Sequence, residues 1–230
     1  MSPLAASLRR REVYLGTAWL ILRTCLLGTA IGLLLGALGR GEDLVLRNAL
    51  YFLLGYFVTA FLFRGLLGDS LRKLPEAPGR LLRGLLLGFC LYEFCQVGLG
   101  MLYEACVPAF QAPNDQNLRS LAGTGFWVLA AGSVLLSPLT EETLARGLVF
   151  GALRQRSRVL AYVASSLVFG IMHIAAYLGS ASPGDLLLSL PLYVLPGLAL
   201  AACYDFSGNI WAPILLHALI NLMGVWGMRN

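Results

Sequence analysis

Charge is what this chain has least of. Of its 230 residues, 13% are Asp, Glu, Lys or Arg, while 58% are hydrophobic. Its mean hydropathy is +0.74. Soluble domains carry about 25% charged residues, so a water-soluble fold is excluded. One integral membrane domain over residues 1–230 is expected instead. Lysine is nearly absent: sixteen of the seventeen basic residues are Arg, and the exception is Lys73. With the abundant Gly, Ala and Leu, that bias points to a GC-rich bacterial genome and a bacterial inner membrane. The net charge of +5 does not mark a nucleic-acid partner. Its basic residues sit in short loops between apolar runs, where they set topology. The five cysteines show neither CxxC nor Cys/His ligand spacing, which excludes a thiolate metal cluster and leaves them as small buried hydrophobes. GxSxG and HExxH are absent, and with them two common hydrolase signatures. No internal repeat of the kind many transporters carry is visible. The basic cluster Arg9, Arg10, Arg11 precedes an apolar run too long for a signal peptide, so it is read as opening a retained first span.

What is present is a series of apolar runs. They predict an all-α, polytopic transmembrane helical bundle of seven to eight membrane helices. The seven runs are about 13–38, 44–63, 85–107, 121–155, 159–178, 185–204 and 209–228. The fourth, as one helix, would be about 52 Å long against a ~30 Å hydrocarbon core. Pro138 is therefore expected to kink or split it, and Pro191 and Pro196 to kink the sixth. Arg23 interrupts the first run and is read as a structural residue that snorkels or faces another helix. Glu93, deep in the third, is read as a hydrogen-bonding structural group rather than a substrate ligand. With the N-terminus inside, eleven basic residues fall on the cytoplasmic side and four on the other, which supports a cytoplasmic N-terminus.

Against this background Glu141-Glu142-Thr143-Leu144-Ala145-Arg146 stands out, with three charges inside an apolar run. Each charge at such depth costs about 2.5–3.5 kcal/mol on insertion scales. Glu142 and Arg146 are four apart with the acid first, the favoured order for a helical pair. Glu141 lies about 100° around the helix and is expected to lack a partner there, leaving it for chemistry. The chain's two histidines, His173 and His217, also lie within apolar runs, and Asn221 shares a helix face with His217. Counting residues from the helix ends puts Glu141, His173, His217 and Asn221 about 12–21 Å deep, so one buried pocket is expected. Such a set suits hydrolysis. A buried glutamate can take a proton from water, an imidazole can hold that water, and imidazole plus carboxamide can stabilise an oxyanion. Nothing singles out Ser165, Ser166 or Ser189 as a nucleophile.

These residues resemble a known pattern: EExxxR, FxxxH and HxxxN on successive membrane helices. That is the pattern of the CPBP family, the CAAX prenyl endopeptidases and bacteriocin-processing or abortive-infection proteins, which are glutamate-type intramembrane proteases. The chain supplies Glu141, Glu142 and Arg146, then Phe169 and His173, then His217 and Asn221. The resemblance covers about 121–228; residues 1–120 match only as hydrophobic spans. It implies about eight spans and an endopeptidase acting on a membrane-associated or C-terminally processed protein or peptide. Glu141 and His173 would activate water, His217 and Asn221 would form the oxyanion site, and Glu142 and Arg146 would brace the helix. No cofactor is required. Glu141, His173 and His217 are chemically plausible zinc ligands, in keeping with the family's frequent description as metalloproteases. Two other readings stay open here: a non-catalytic membrane scaffold or immunity factor on the same fold, and a small proton-coupled transporter.

Overall fold

The computed structural model describes residue 4 and residues 6–229, and among these every regular element is helical. Eight helices follow one another: α1 (Arg10–Ala37), α2 (Leu44–Leu62), α3 (Arg64–Arg72), α4 (Pro78–Cys106), α5 (Pro113–Leu153), α6 (Arg158–Tyr177), α7 (Pro183–Ser207) and α8 (Trp211–Gly227). All seven apolar runs are helices, and the protein is an integral membrane bundle. Six helices are long and apolar enough to cross a membrane: α1, α2, α4, α5, α6 and α7. The seventh run, α8, has 17 residues, about 25 Å of rise, the lower limit for a span.

The helix α5 does not split at Pro138. Its interruption lies at Gly125, where φ is −151° and ψ is 52°. A Cβ there would come within 2.8 Å of Val45, so the bent segment packs closer to α2 than any side chain would allow. Pro138 instead follows a π-helical stretch, 131–136, and occupies the first turn of the next α-helical piece. Its missing N–H costs little in that position. Further π-helical stretches occupy 23–27 and 143–150. The helix α7 runs on through Pro191 and Pro196.

Helix α4 packs against α7 by bringing backbones together. A Cβ on Gly84 would stand 2.6 Å from Ser207 Cβ and 2.9 Å from the Cys203 carbonyl oxygen. One turn on, a Cβ on Gly88 would stand 2.7 Å from Cys203 Cβ. Small residues four apart let membrane helices approach this closely. Alanine at either glycine should therefore destabilise the bundle by about 1–3 kcal/mol through overpacking, measurable as a lower melting temperature in detergent. An unchanged melting temperature for both variants would show that the helices do not sit this near.

The amphipathic α3 turns Leu66 and Leu67 inward and exposes Arg64 and Arg72. Buried Glu12 ties its start to that of α1, accepting from Arg9 N at 2.8 Å and from Leu66 N at 3.1 Å. The buried Asp205 carboxylate on α7 gathers Arg154 Nε at 2.6 Å, Arg158 and the Tyr162 hydroxyl at 3.2 Å. That clasp fixes the ends of α5, α6 and α7, and so the register in which their middles face each other. At the far end Asp43 caps α2, accepting from Leu46 N at 2.8 Å. That bond and the neighbouring Arg40 hold its carboxyl below the ordinary value.

Candidate active site

Helix α5 carries Glu141 and Glu142 between its two π-helical stretches, a setting common at functional sites. Glu142 and Arg146 form the expected pair, Oε1 to Nη1 at 2.9 Å with both side chains fully buried. Arg146 is held from two further sides. Its Nη2 donates to the Gly197 carbonyl at 2.7 Å, and its guanidinium lies 4.5 Å from the centre of the Phe169 ring, a cation–π contact. Gly197 makes room for this, since a Cβ there would lie 3.4 Å from Nη2 and 3.2 Å from Ser166 Cα.

The braced Glu142 does more than hold its helix. Its Oε1 stands 2.9 Å from His217 Nδ1. A carboxylate already paired with arginine accepts, so Nδ1 carries the proton and a neutral His217 presents a bare Nε2. His173 is set the same way: its Nδ1 lies 2.8 Å from the Phe169 carbonyl, a group that can only accept. The Phe169 ring packs against both imidazoles, with centroids 4.6 Å and 5.5 Å away. The two Nε2 atoms then converge on one oxygen. Glu141 Oε2 is 3.6 Å from His173 Nε2 and 3.9 Å from His217 Nε2.

Glu141 corrects the sequence reading in one respect, because its carboxylate is not left without a partner. Its other oxygen, Oε1, accepts from Ser137 Oγ at 2.5 Å, one turn back on the same helix. It also faces Arg23 Nη2 of α1 at 3.3 Å. The Ser137 contact was readable from the i, i+4 spacing. The Arg23 contact was not, because no local pattern says which way α1 faces. A second residue without a sequence signal is Tyr193 of α7. Its ring stacks on His173 with centroids 4.5 Å apart and 15° between planes, and its hydroxyl donates to Asp115 Oδ1 at 2.9 Å. Asn221 lines the same cavity, but its Nδ2 donates to the Ser133 carbonyl at 2.7 Å, which leaves one N–H hydrogen for anything else.

Glu141, Ser137, His173, Tyr193, His217 and Asn221 sit on the wall of a cavity of about 860 Å³ that reaches from Glu141 to Arg47 and Asn114 at the helix ends. Glu93 is not among the cavity-lining residues, although Tyr92 and Gln96 on either side of it in α4 are. Ser165, Ser166 and Ser189 are fully buried and also off its wall. Among the described residues, no three His, Cys, Asp or Glu side chains stand at metal-ligating spacing. A dication on Glu141 would also face the Arg23 guanidinium 3.3 Å behind it. Glu141, His173 and His217 thus fit a metal poorly.

Residues 123–223 match the family model described as Rce1-like, type II CAAX prenyl endopeptidase. The resemblance carried by the three motifs is thereby borne out over the stretch that contains all of them. The chain is also 32% identical over 90 residues to "Putative membrane peptidase YdiL" of Bacillus subtilis strain 168, a match covering 39% of this chain and 32% of that protein. It is 36% identical over 94 residues to an uncharacterized protein of Mycoplasma capricolum, covering 40% of this chain and 25% of that one. These matches span a third or less of the relatives' own lengths. No solved structure matches the chain.

Proposed function

We propose that this protein is an intramembrane endopeptidase of the CAAX type, cleaving a peptide bond in a membrane-associated or C-terminally processed protein or peptide. The observation that carries this reading is the convergence of one glutamate oxygen and two imidazole nitrogens on a cavity wall inside an apolar bundle. Isolated ionisable groups are expensive in a membrane, and such a gathering marks a working site. The similarity of 123–223 to CAAX endopeptidases and of part of the chain to a named membrane peptidase supports the same reading. In this proposal the protein lies in a bacterial inner membrane with its N-terminus cytoplasmic. It needs no cofactor and engages no nucleic acid.

A water between Glu141 Oε2 and His173 Nε2 donates one hydrogen to each and turns its lone pair toward the scissile carbonyl. Glu141 takes the proton as the C–O bond forms and returns it to the leaving amine. His217 takes a proton from solvent on its bare Nε2 when the substrate is bound and donates it in a hydrogen bond to the oxyanion, while its Nδ1–H stays on Glu142. The free hydrogen of Asn221 Nδ2 supplies the second donor.

The test is incubation of the purified protein with a proteome-derived peptide library in mixed micelles, with new peptide termini read by mass spectrometry. Cleavage at a recurring sequence, resistant to chelators, is expected. A library left uncut overturns the proposal, and reversible loss of cleavage on chelation overturns its metal-free form. Asn221→Ala should lower turnover per folded molecule by roughly 10²–10³-fold, the cost of one oxyanion donor. The KM should stay nearly constant, because that interaction strengthens only in the transition state. A stable Asn221→Ala variant with normal turnover would reduce Asn221 to its bond with the Ser133 carbonyl.

A further inference from the structure

We propose that Arg23 is a positioning residue of this site, holding one oxygen of Glu141 so that the other faces the two imidazoles. The role of Glu141 rests on the peptidase reading above; the pairing itself rests on geometry alone.

Arg23 does not snorkel. Its side chain is 3% exposed, and its guanidinium lies over the Tyr51 ring of α2 at 4.9 Å. Its Nη1 contacts Met172 Sδ at 3.9 Å and its Nη2 reaches Glu141. Gly55 of α2 admits the side chain, since a Cβ there would stand 3.4 Å from Arg23 Nε. The residue opens the π-helical stretch 23–27, a local widening that membrane helices use at functional positions. A buried guanidinium in lipid is costly unless it meets an acid. Arg146 is already committed to Glu142, and Glu141 is the acid that Arg23 meets.

The two contacts on Glu141 Oε1 come from different directions, Ser137 from its own helix and Arg23 from α1. A carboxylate turns easily about its last bond, whose torsional preference is broad and roughly two-fold. Two donors from separate helices fix its plane, and with it the direction of Oε2. The groups facing Oε2 are His173 from α6 and His217 from α8; His173 needs that direction to share a water with it, and His217 to reach the oxyanion that forms beside that water. Arg23 lies outside the 123–223 stretch that matches the family model. The first helix, which the motifs say nothing about, therefore completes the site.

Two measurements on the full chain in detergent test this. In the first, kcat and KM are measured on a peptide the wild type cleaves from the library, for Arg23→Gln and Arg23→Lys. Arg23→Gln should lower kcat about 10²-fold, the cost of displacing a reacting group by about 1 Å, with KM within about twofold. Arg23→Lys keeps the charge and should recover at least a tenth of wild-type turnover. Equal loss in both variants, or a loss confined to KM, overturns the positioning role. In the second, melting temperatures are compared for Arg23→Met, Glu141→Gln and the double variant. Arg23→Met leaves the Glu141 carboxylate buried without its cation, and Glu141→Gln removes that stranded charge, so the double variant should melt above Arg23→Met. Additive losses overturn the pair. A library the wild type leaves uncut is a failure of the peptidase reading, and the melting comparison still decides whether Arg23 and Glu141 are coupled.

Discussion

Glu141→Gln leaves a folded protein and removes about 10⁴-fold of its turnover, the upper end for a positioned base. Glutamine nearly matches glutamate in shape. Its amide oxygen can keep the Ser137 hydroxyl and face the Arg23 guanidinium, which together hold Oε1 in the native protein. The amide nitrogen then replaces Oε2 and points at His173 Nε2 and His217 Nε2. An amide cannot take a proton from water, and its two hydrogens can bond both imidazole lone pairs and shut the water out. Thermal unfolding close to wild type, together with turnover at background, is the expected pair of results. If Glu141→Gln stays active while Glu142→Gln alone is stable and inactive, the roles of the two glutamates are reversed.

Glu142→Ala has the opposite profile: the molecule fails before its chemistry can be tested. Removing one member of a buried pair costs about 3–5 kcal/mol, a large share of the stability of a small domain. The change strands Arg146, whose side chain is fully buried, and takes the acceptor from His217 Nδ1. Arg146→Lys should rescue poorly, because an ammonium cannot meet Glu142 and the Gly197 carbonyl in one plane as the guanidinium does. Removing both charges with Glu142→Gln and Arg146→Met should cost less than Glu142→Ala alone, since no buried charge is left over. Melting temperatures of the three variants in one detergent decide this. A Glu142→Ala protein melting within a few degrees of wild type would mean that Arg146 finds another partner.

What could be read in advance divides by range. Glu142 with Arg146, and Phe169 with His173, are neighbours one turn apart on a single helix, and fixed helical spacing places them without tertiary knowledge. The meeting of His173, His217 and Glu141 was expected from the cost of leaving each alone in lipid, an argument about energy that gives no distances. The bond from His217 to Glu142 had no such signal, because it depends on how α8 rotates against α5. Arg23 and Tyr193 were missed for the same reason. The bend of α5 was expected at Pro138 and lies at Gly125. Proline marks a lost hydrogen bond in the sequence, whereas a glycine bend depends on Val45 of another helix. The π-helical stretches leave no readable residue pattern, yet each adds a residue per turn and rotates everything after it.

The pairing of Arg23 with Glu141 joins residues 118 apart, and that separation has a meaning in time. A ribosome adds about 5–20 residues per second. By that rate the arginine is made roughly 6–24 s before its acid exists. During that interval α1 cannot rest in lipid as it does in the finished protein. It must hold its guanidinium toward the headgroups by tilting or sliding, or wait beside the insertion machinery. Helix α5 brings Glu141, Glu142 and Arg146 to the buried site, and the last two cancel within one turn and need no other helix. The remaining charge, on Glu141, is the one α1 has been waiting for, so the arrival of α5 would release the first helix to its final depth.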